Sequence, residues 1–235
     1  MTKKRDTFKS SPKRFHPRGL EILYEDYDIL VVNKASGLLT IGTDQEKEKT
    51  AHHLLNEYVR KGNPKSKNRI FIVHRLDRDT SGVLVFAKDI KSKQYLQDHW
   101  QDFDKSYVAV VHGKLKEKEG QLSSQLKENK VHRVYAADEE EDGKHAVTAY
   151  KVVRESDKYS LLEIKLLTGR KNQIRVHFAD LGHPVVGDKV YGRKETGSKR
   201  LALHSSSLSI LHPFTHEKLH FEKDTPAYFK TLLKH

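Results

Sequence analysis

Nine consecutive residues, His74 to Gly82, reading HRLDRDTSG, gather two arginines, two carboxylates, a histidine and a turn of small residues. They lie between the apolar runs Arg69-Ile70-Phe71-Ile72-Val73 and Val83-Leu84-Val85-Phe86-Ala87, each of strand length. A polar loop between two strands is where a rigid scaffold presents side chains at an open edge. A carboxylate held there can attack an electrophilic carbon or stabilise a developing cation, provided a permanent cation keeps it ionised away from water. Residue types alone leave Asp77 and Asp79 equal, since either could face a cleft while the other closes the turn through an Asx-type hydrogen bond.

Further along, LLTGRKNQIRVHFADLGHPVVGDKVYG spans Leu166 to Gly192 and carries Arg170, Gln173, Arg175 and His177. Arg170 and Arg175 are five apart, and Gln173 and His177 fall on neighbouring turns of a helix that would present basic groups toward a cleft. Tyr107 opens the strand-like run Tyr107-Val108-Ala109-Val110-Val111, and Leu203 sits in Arg200-Leu201-Ala202-Leu203-His204. Taken singly, Arg170 and Arg175 read as solvated helix charges, Tyr107 as core and Leu203 as an alternating strand residue.

Taken in order, the segments resemble the RluA-type RNA pseudouridine synthases. HRLDRDTSG is similar to that family's HRLD-x-x-TSG, and the third segment to its GR-x-x-QIR-x-H. The stretch YEDYDILVVNKASGLLT resembles the family's opening strand pair, with Lys34 and Gly37 at its lysine and glycine positions and Ala35 where proline is usual. The resemblance covers roughly Leu20 to Pro226. It implies that Asp77 is the nucleophile and that Arg175 pairs with it. Tyr107 would stack on the extruded uracil and move a proton at C5, and Leu203 would line the uracil pocket. Arg75 would fill the vacated stack, and Arg170, Gln173 and His177 would bind substrate. Lys171-Asn172 stands where relatives carry Thr-His, so no role of that histidine carries over to this chain, while Arg175 is untouched.

The implied reaction breaks the bond from uracil N1 to ribose C1′ and rejoins the base through C5. No electrons or water are consumed, so neither a cofactor nor a metal is required. A single carboxylate suffices, as for the nucleophile of a retaining glycosidase. Two rivals differ in class. A catalytically inactive RNA-binding or chaperone module on the same scaffold would not need Asp77, Tyr107 and Arg175 together. A nucleoside glycosidase releasing uracil to water calls for a second carboxylate around the sugar, and no matching segment supplies one.

Positioning such a site takes a real core, and 235 residues at 36% hydrophobic content suffice for one large domain or two small ones. The formal net charge of +12 favours a polyanionic partner, and the resemblance makes that partner structured RNA, an rRNA or tRNA stem-loop. No apolar run approaches the ~20 residues that span a bilayer, and the N-terminus lacks the apolar core of a signal peptide, so a cytoplasmic monomer with no membrane partner is expected. Cysteine is absent, which excludes disulfides and thiolate chemistry. The 15 histidines are scattered without metal-ligand spacing.

Residues 1–18 carry seven cations against Asp6, two prolines and little apolar periodicity, which predicts a flexible basic arm. Residues 19–235 then form one catalytic domain. Strands are expected over Leu20–Tyr24, Ile29–Val32, Tyr107–Val111, Val131–Ala136, Ala146–Val153, Tyr159–Leu167, Leu201–Leu211 and Lys218–Phe221. Helices are expected over Thr50–Arg60, Ile90–Phe103, Thr168–Leu181 and Pro226–Leu233. The five carboxylates from Asp138 to Asp142 should form an exposed loop facing away from RNA. Strands outnumber helices and hairpins dominate, so the fold class is α+β: a bent, largely antiparallel mixed sheet with flanking helices. The resemblance implies the same pseudouridine synthase fold.

Overall fold

The structure is a computed structural model that describes residues 8, 10–43, 46–137, 142–192, 198 and 200–234. The chain divides into two compact units, one of residues 1–103 with 209–221 and the other of residues 104–208 with 222–235.

The first unit opens with the hairpin β1 (Leu20–Glu25) and β2 (Ile29–Lys34). Its turn is set by Asp26, whose Oδ1 accepts from the amides of Asp28 and Ile29 at 2.8 Å each. Helix α1 (Ala51–Arg60) begins where Thr50 caps the amide of His53 and ends at Lys61 in the left-handed region. The short β3 (Phe71–Ile72) and the longer β4 (Ser81–Ala87) flank the HRLDRDTSG loop, and β4 pairs antiparallel with both β2 and β3. Every residue of β4 is buried. A strand covered on both faces needs a continuous apolar run rather than an alternation, and Val83–Ala87 supplies it. Helix α2 (Ile90–Asp98) is capped by Asp89 on the amide of Ser92. It stops five residues short of the expected Phe103, with His99–Phe103 forming turns whose only fully buried side chain is Phe103.

The second unit is built on β5 (Asp104–His112), β6 (Glu119–Glu128), β7 (Val134–Ala136), β8 (Lys144–Glu155) and β9 (Tyr159–Leu166). Within it, β10 (Leu203–Leu211) lies beside β5, and the order continues β9, β8, β6, β7, with antiparallel pairing from β5 outward. Register aligns Tyr107 with Ile164 and Ile164 with Tyr150, so these three point to one face. Helix α3 (Gln173–Asp180) packs there, with Phe178 edge-on to Tyr150. Ile174, Phe178, Leu203 and Phe229 join one core with Val108–Val111. The strand β10 continues into the first unit, where it pairs with β11 (Lys218–Glu222), and α4 (Ala227–Leu232) follows within the second unit.

Two departures from expectation have physical causes. Strand β6 is unanticipated, because the inward stripe of EGQLSSQLKE is weak, with the polar Ser124 standing between Leu122 and Leu126. The expected helix over Thr168–Leu181 begins only at Gln173, since Asn172 sits at φ 55° and interrupts it. Asparagine tolerates that left-handed region better than most residues.

Of the basic segment 1–18, Phe8 and residues 10–18 are placed, and they pack on the first unit. Ser11 is buried and donates to the carbonyl of Tyr58, a 3₁₀ turn covers Lys13–Phe15, and His16 meets the Tyr58 ring edge-on. Residues 1–7 and 9 lie outside the described residues, as do 138–141 and with them most of the acidic loop. Among the described residues, no helix is long and apolar enough to cross a membrane.

Candidate active site

The sequence-derived site residues fall into two groups, Arg75 and Asp77 in the first unit and Tyr107, Arg170, Gln173, Arg175, His177 and Leu203 in the second.

In the first unit the segment 34–40 grips the backbone of the HRLDRDTSG loop. Thr40 donates from Oγ1 to the carbonyl of Leu76 at 2.7 Å and accepts from its amide at 3.2 Å. The carbonyl of Arg78 accepts from Lys34 Nζ at 3.0 Å and from the amide of Gly37 at 2.9 Å. Ser36 Oγ donates to the carbonyl of Asp79 at 2.7 Å, and the Asp77 carbonyl accepts from the amide of Thr80 at 3.2 Å. Along the loop Arg75 and Arg78 are exposed, Leu76 is buried, and Asp77 and Asp79 are half-buried. Arg75 thus stands exposed beside Asp77.

Lys34 is the buried charge beneath this loop. It has no exposed surface, and its ammonium donates to the carbonyls of Ala35, Leu38 and Arg78 at 3.1, 2.7 and 3.0 Å. Burial pushes its pKa down to about 7, opposed by the negative charges of Asp77 and Asp79. Sequence reading assigned Lys34 no task. A lysine ending an apolar strand reads as a solvated terminus, and only its place in the resembling segment singled it out.

In the second unit Arg175, on α3, makes a bidentate pair with Asp188, Nε to Oδ2 at 2.7 Å and Nη2 to Oδ1 at 2.9 Å. Burial alone would raise the Asp188 carboxyl, but the Arg175 guanidinium and the amides of Tyr191 and Val190 hold it below the usual carboxylate range. Asp188 is a second residue that sequence reasoning missed. Its only signal was its place in GHPVVGD, which offered no role.

Gln173 and His177, expected to meet substrate, turn inward instead. Gln173 donates to the Val147 carbonyl and Thr148 Oγ1 and accepts from the Arg170 amide and Thr168 Oγ1. His177 places its ring nitrogens 2.9 Å from Thr148 Oγ1 and 3.0 Å from Ser124 Oγ, and burial pushes its pKa down to about 4. Both residues therefore seat α3 on β6 and β8, while Arg170 is exposed and Arg175 half-buried. Exposed Arg170 donates to the His145 carbonyl and borders a cavity of about 420 Å³ with Lys127, Lys144 and Lys171. Tyr107 is half-buried and lines a cavity of about 590 Å³ with Ser106, Lys165, Ser206, Ser207 and Lys223. Leu203 is 4% exposed, within the core.

Among the described residues, Asp26, Asp28 and His212 lie close enough to hold a metal ion. His212 Nδ1 accepts from the amides of Phe214 and Thr215, so its proton sits on Nε2 and is donated to Asp26 at 2.8 Å. This is a hydrogen-bonded clasp between two turns rather than a ligand set.

Comparison with known proteins matches residues 28–180 to the family described as RNA pseudouridylate synthase. The chain is 37% identical over 226 residues to tRNA pseudouridine synthase C of Vibrio parahaemolyticus, covering 86% of this chain and 89% of that one. It is 36% identical over 227 residues to ribosomal large subunit pseudouridine synthase C of Buchnera aphidicola, covering 90% and 69%. Among solved structures, human RNA pseudouridylate synthase domain containing 1 superposes with a TM-score of 0.70 at 28% identity, over 88% of this chain and 84% of that one.

Proposed function

The chain belongs to the RNA pseudouridylate synthase family, and from that premise we propose that it isomerises uridines in structured RNA, ribosomal or transfer, with Asp77 as nucleophile. The observation that carries the assignment is the grip of Lys34, Ser36, Gly37 and Thr40 on the loop backbone around Asp77. A carboxylate on an immobilised backbone holds its angle of approach without reorganising during the reaction.

Uridine in a stem-loop is stacked, so the base is first extruded at a few kcal/mol, with exposed Arg75 filling the gap it leaves. Asp77 supports or attacks C1′ as its bond to N1 breaks, and uracil turns and rejoins through C5. The hydrogen of C5 leaves as N1 gains a proton, and Tyr107 serves that transfer while its ring stacks on the base. Arg175 supplies the cation that the resemblance pairs with the reacting carboxylate, Leu203 closes the uracil pocket, and Arg170 takes a backbone phosphate. The enzyme works as a cytoplasmic monomer.

The test maps pseudouridine in tRNA and rRNA from cells with and without this protein, then repeats the modification with pure protein on the transcript concerned. The proposal requires a position that loses pseudouridine without the protein and regains it in vitro. An identical pseudouridine map in both cells, with no conversion by folded protein, would favour the inactive RNA-binding module.

A further inference from the structure

Arg175 is held by more than Asp188. Its Nη1 donates to Asn172 Oδ1 at 3.1 Å, and its guanidinium carbon lies 5.1 Å from the centre of the Tyr191 ring. Tyr191 is itself fixed at both ends. Its amide donates to Asp188 Oδ1 at 3.0 Å, while its hydroxyl accepts from Asn172 Nδ2 and from the amide of Val134, each at 3.1 Å. Arg133, just before β7, lies over the same ring at 5.4 Å.

The carboxylate at the centre is rigid. The Asp188 side chain has no exposed surface, and its Oδ1 also accepts from the Val190 amide at 2.8 Å. The preceding Gly187 turns at φ +76°, and any Cβ there would collide with the Arg200 carbonyl. A side chain at position 187 would therefore displace the turn that carries Asp188.

We infer that Asp188, Asn172 and Tyr191 form a clamp that fixes the plane of the Arg175 guanidinium, with Asp188 the principal positioning residue for the reaction given under Proposed function, on which this inference rests. An unclamped arginine must lose several rotatable bonds each time it engages a carboxylate. A planar fork already held on its Nε side offers its remaining donors in a fixed direction. The clamp also explains the Lys171-Asn172 pair. Asn172 bridges the guanidinium and the Tyr191 hydroxyl through its two amide atoms, and Lys171 ties the same turn to Glu128 and the His132 carbonyl at 2.6 and 3.0 Å. Through Val134 and Arg133, the β6–β7 hairpin is joined to the group that orients Arg175.

The test compares Asp188→Asn, Asn172→Ala and Tyr191→Phe with wild type in three measurements: RNA affinity, single-turnover rate on saturating RNA, and melting temperature. Asp188→Asn should slow turnover by about 100-fold, and the other two by about 5- to 10-fold, because misplacing a reacting group by an ångström costs on that order. RNA affinity should stay within about threefold. Asp188→Asn should add less than about twofold to the loss already caused by Arg175→Lys, since a residue acting through Arg175 has nothing left to position. Multiplying losses in the double variant, or Asp188→Asn at the wild-type rate, would overturn the inference. Should Asp188→Asn fail to fold, Tyr191→Phe decides: a wild-type rate contradicts the clamp. The Arg175 Nε–H resonance separates this from failure of the functional reading. Protection in the RNA-free wild type that is lost in Asp188→Asn upholds the clamp even if no RNA is converted, and an unprotected wild-type resonance refutes it whatever the activity.

Discussion

In the first unit Asp77 is placed through its backbone, by side chains of residues 34–40 that bind the amide and carbonyls of its neighbours; in the second unit Arg175 is placed through its head group, by Asp188, Asn172 and Tyr191. The difference follows from side-chain length. Aspartate has one carbon between backbone and carboxyl, so fixing the loop fixes the charge. Arginine has a long stem whose freedom survives a rigid helix, and only contacts at the guanidinium remove it. A carboxylate on a gripped loop and a guanidinium in a clamp should therefore fail differently when their supports are cut.

The largest effect expected is at Asp77. Asp77→Asn should lower product formation by at least about 1,000-fold, as loss of a nucleophile does, whereas Asp79→Asn should stay within about tenfold. Removing one partner of a buried ion pair can cost about 3–5 kcal/mol, so circular dichroism must show that the variant is folded. Equal losses at both aspartates would mean that the loop needs its charges rather than a nucleophile.

Cutting the backbone grip comes next. Thr40→Val keeps the shape but leaves the Leu76 amide and carbonyl without their partner, which should destabilise by about 1–3 kcal/mol in urea unfolding and slow turnover by about tenfold. Lys34→Met should be more severe, since three carbonyls lose a charged donor. Lys34 also sets a pH dependence. With its pKa brought to about 7, raising the pH through that value leaves two hydrogens for three carbonyls, so the single-turnover rate should fall toward alkaline pH. A rate that is flat from pH 6 to 9 would contradict this.

A smaller and purely structural effect separates the units in acid. His177 sits neutral in the second unit with its pKa near 4, below the ordinary 6.5, so the unfolded chain binds a proton that the folded one refuses. Stability from this group is full above pH 6.5 and is lost as pH falls toward 4, by a total on the order of 3 kcal/mol. Melting temperature should drop over that window, and less steeply in His177→Gln. The smallest effect is on RNA affinity. Deleting residues 2–7 removes Lys3, Lys4 and Arg5 but spares Ser11 and Phe8, and each lost phosphate contact should flatten the log affinity against log salt slope by about 0.7–0.9. The rate on saturating RNA should not change, and an unchanged slope would mean the segment is only a solvated tail.

Much of the first unit was legible because its elements announce themselves: continuous apolar strands and a loop whose nine residues resemble one family. The second unit was less so. Strand β6 hides because Leu122, Ser124 and Leu126 form a weak inward stripe, and the start of α3 is set by a left-handed Asn172 that no periodicity marks. At the site, the residues named by resemblance were found on α3 and on the loop, but their supports were not foreseen. Lys34 and Asp188 are charged residues that are wholly or nearly buried, and burial of a charge depends on partners far away in sequence. The inward turn of Gln173 and His177 was hidden for the same reason, since a helix pattern fixes which residues share a turn but not how deeply the helix is seated.

The most direct test of uridine isomerisation uses tRNA and rRNA transcripts whose uridines carry tritium at C5. Joining C5 to C1′ displaces that hydrogen while the base stays on the RNA. The wild-type enzyme should release tritium into water in amounts equal to the pseudouridine formed, with no free uracil. Tritiated uracil in solution, or no release of tritium from any transcript by the folded protein, would contradict the account.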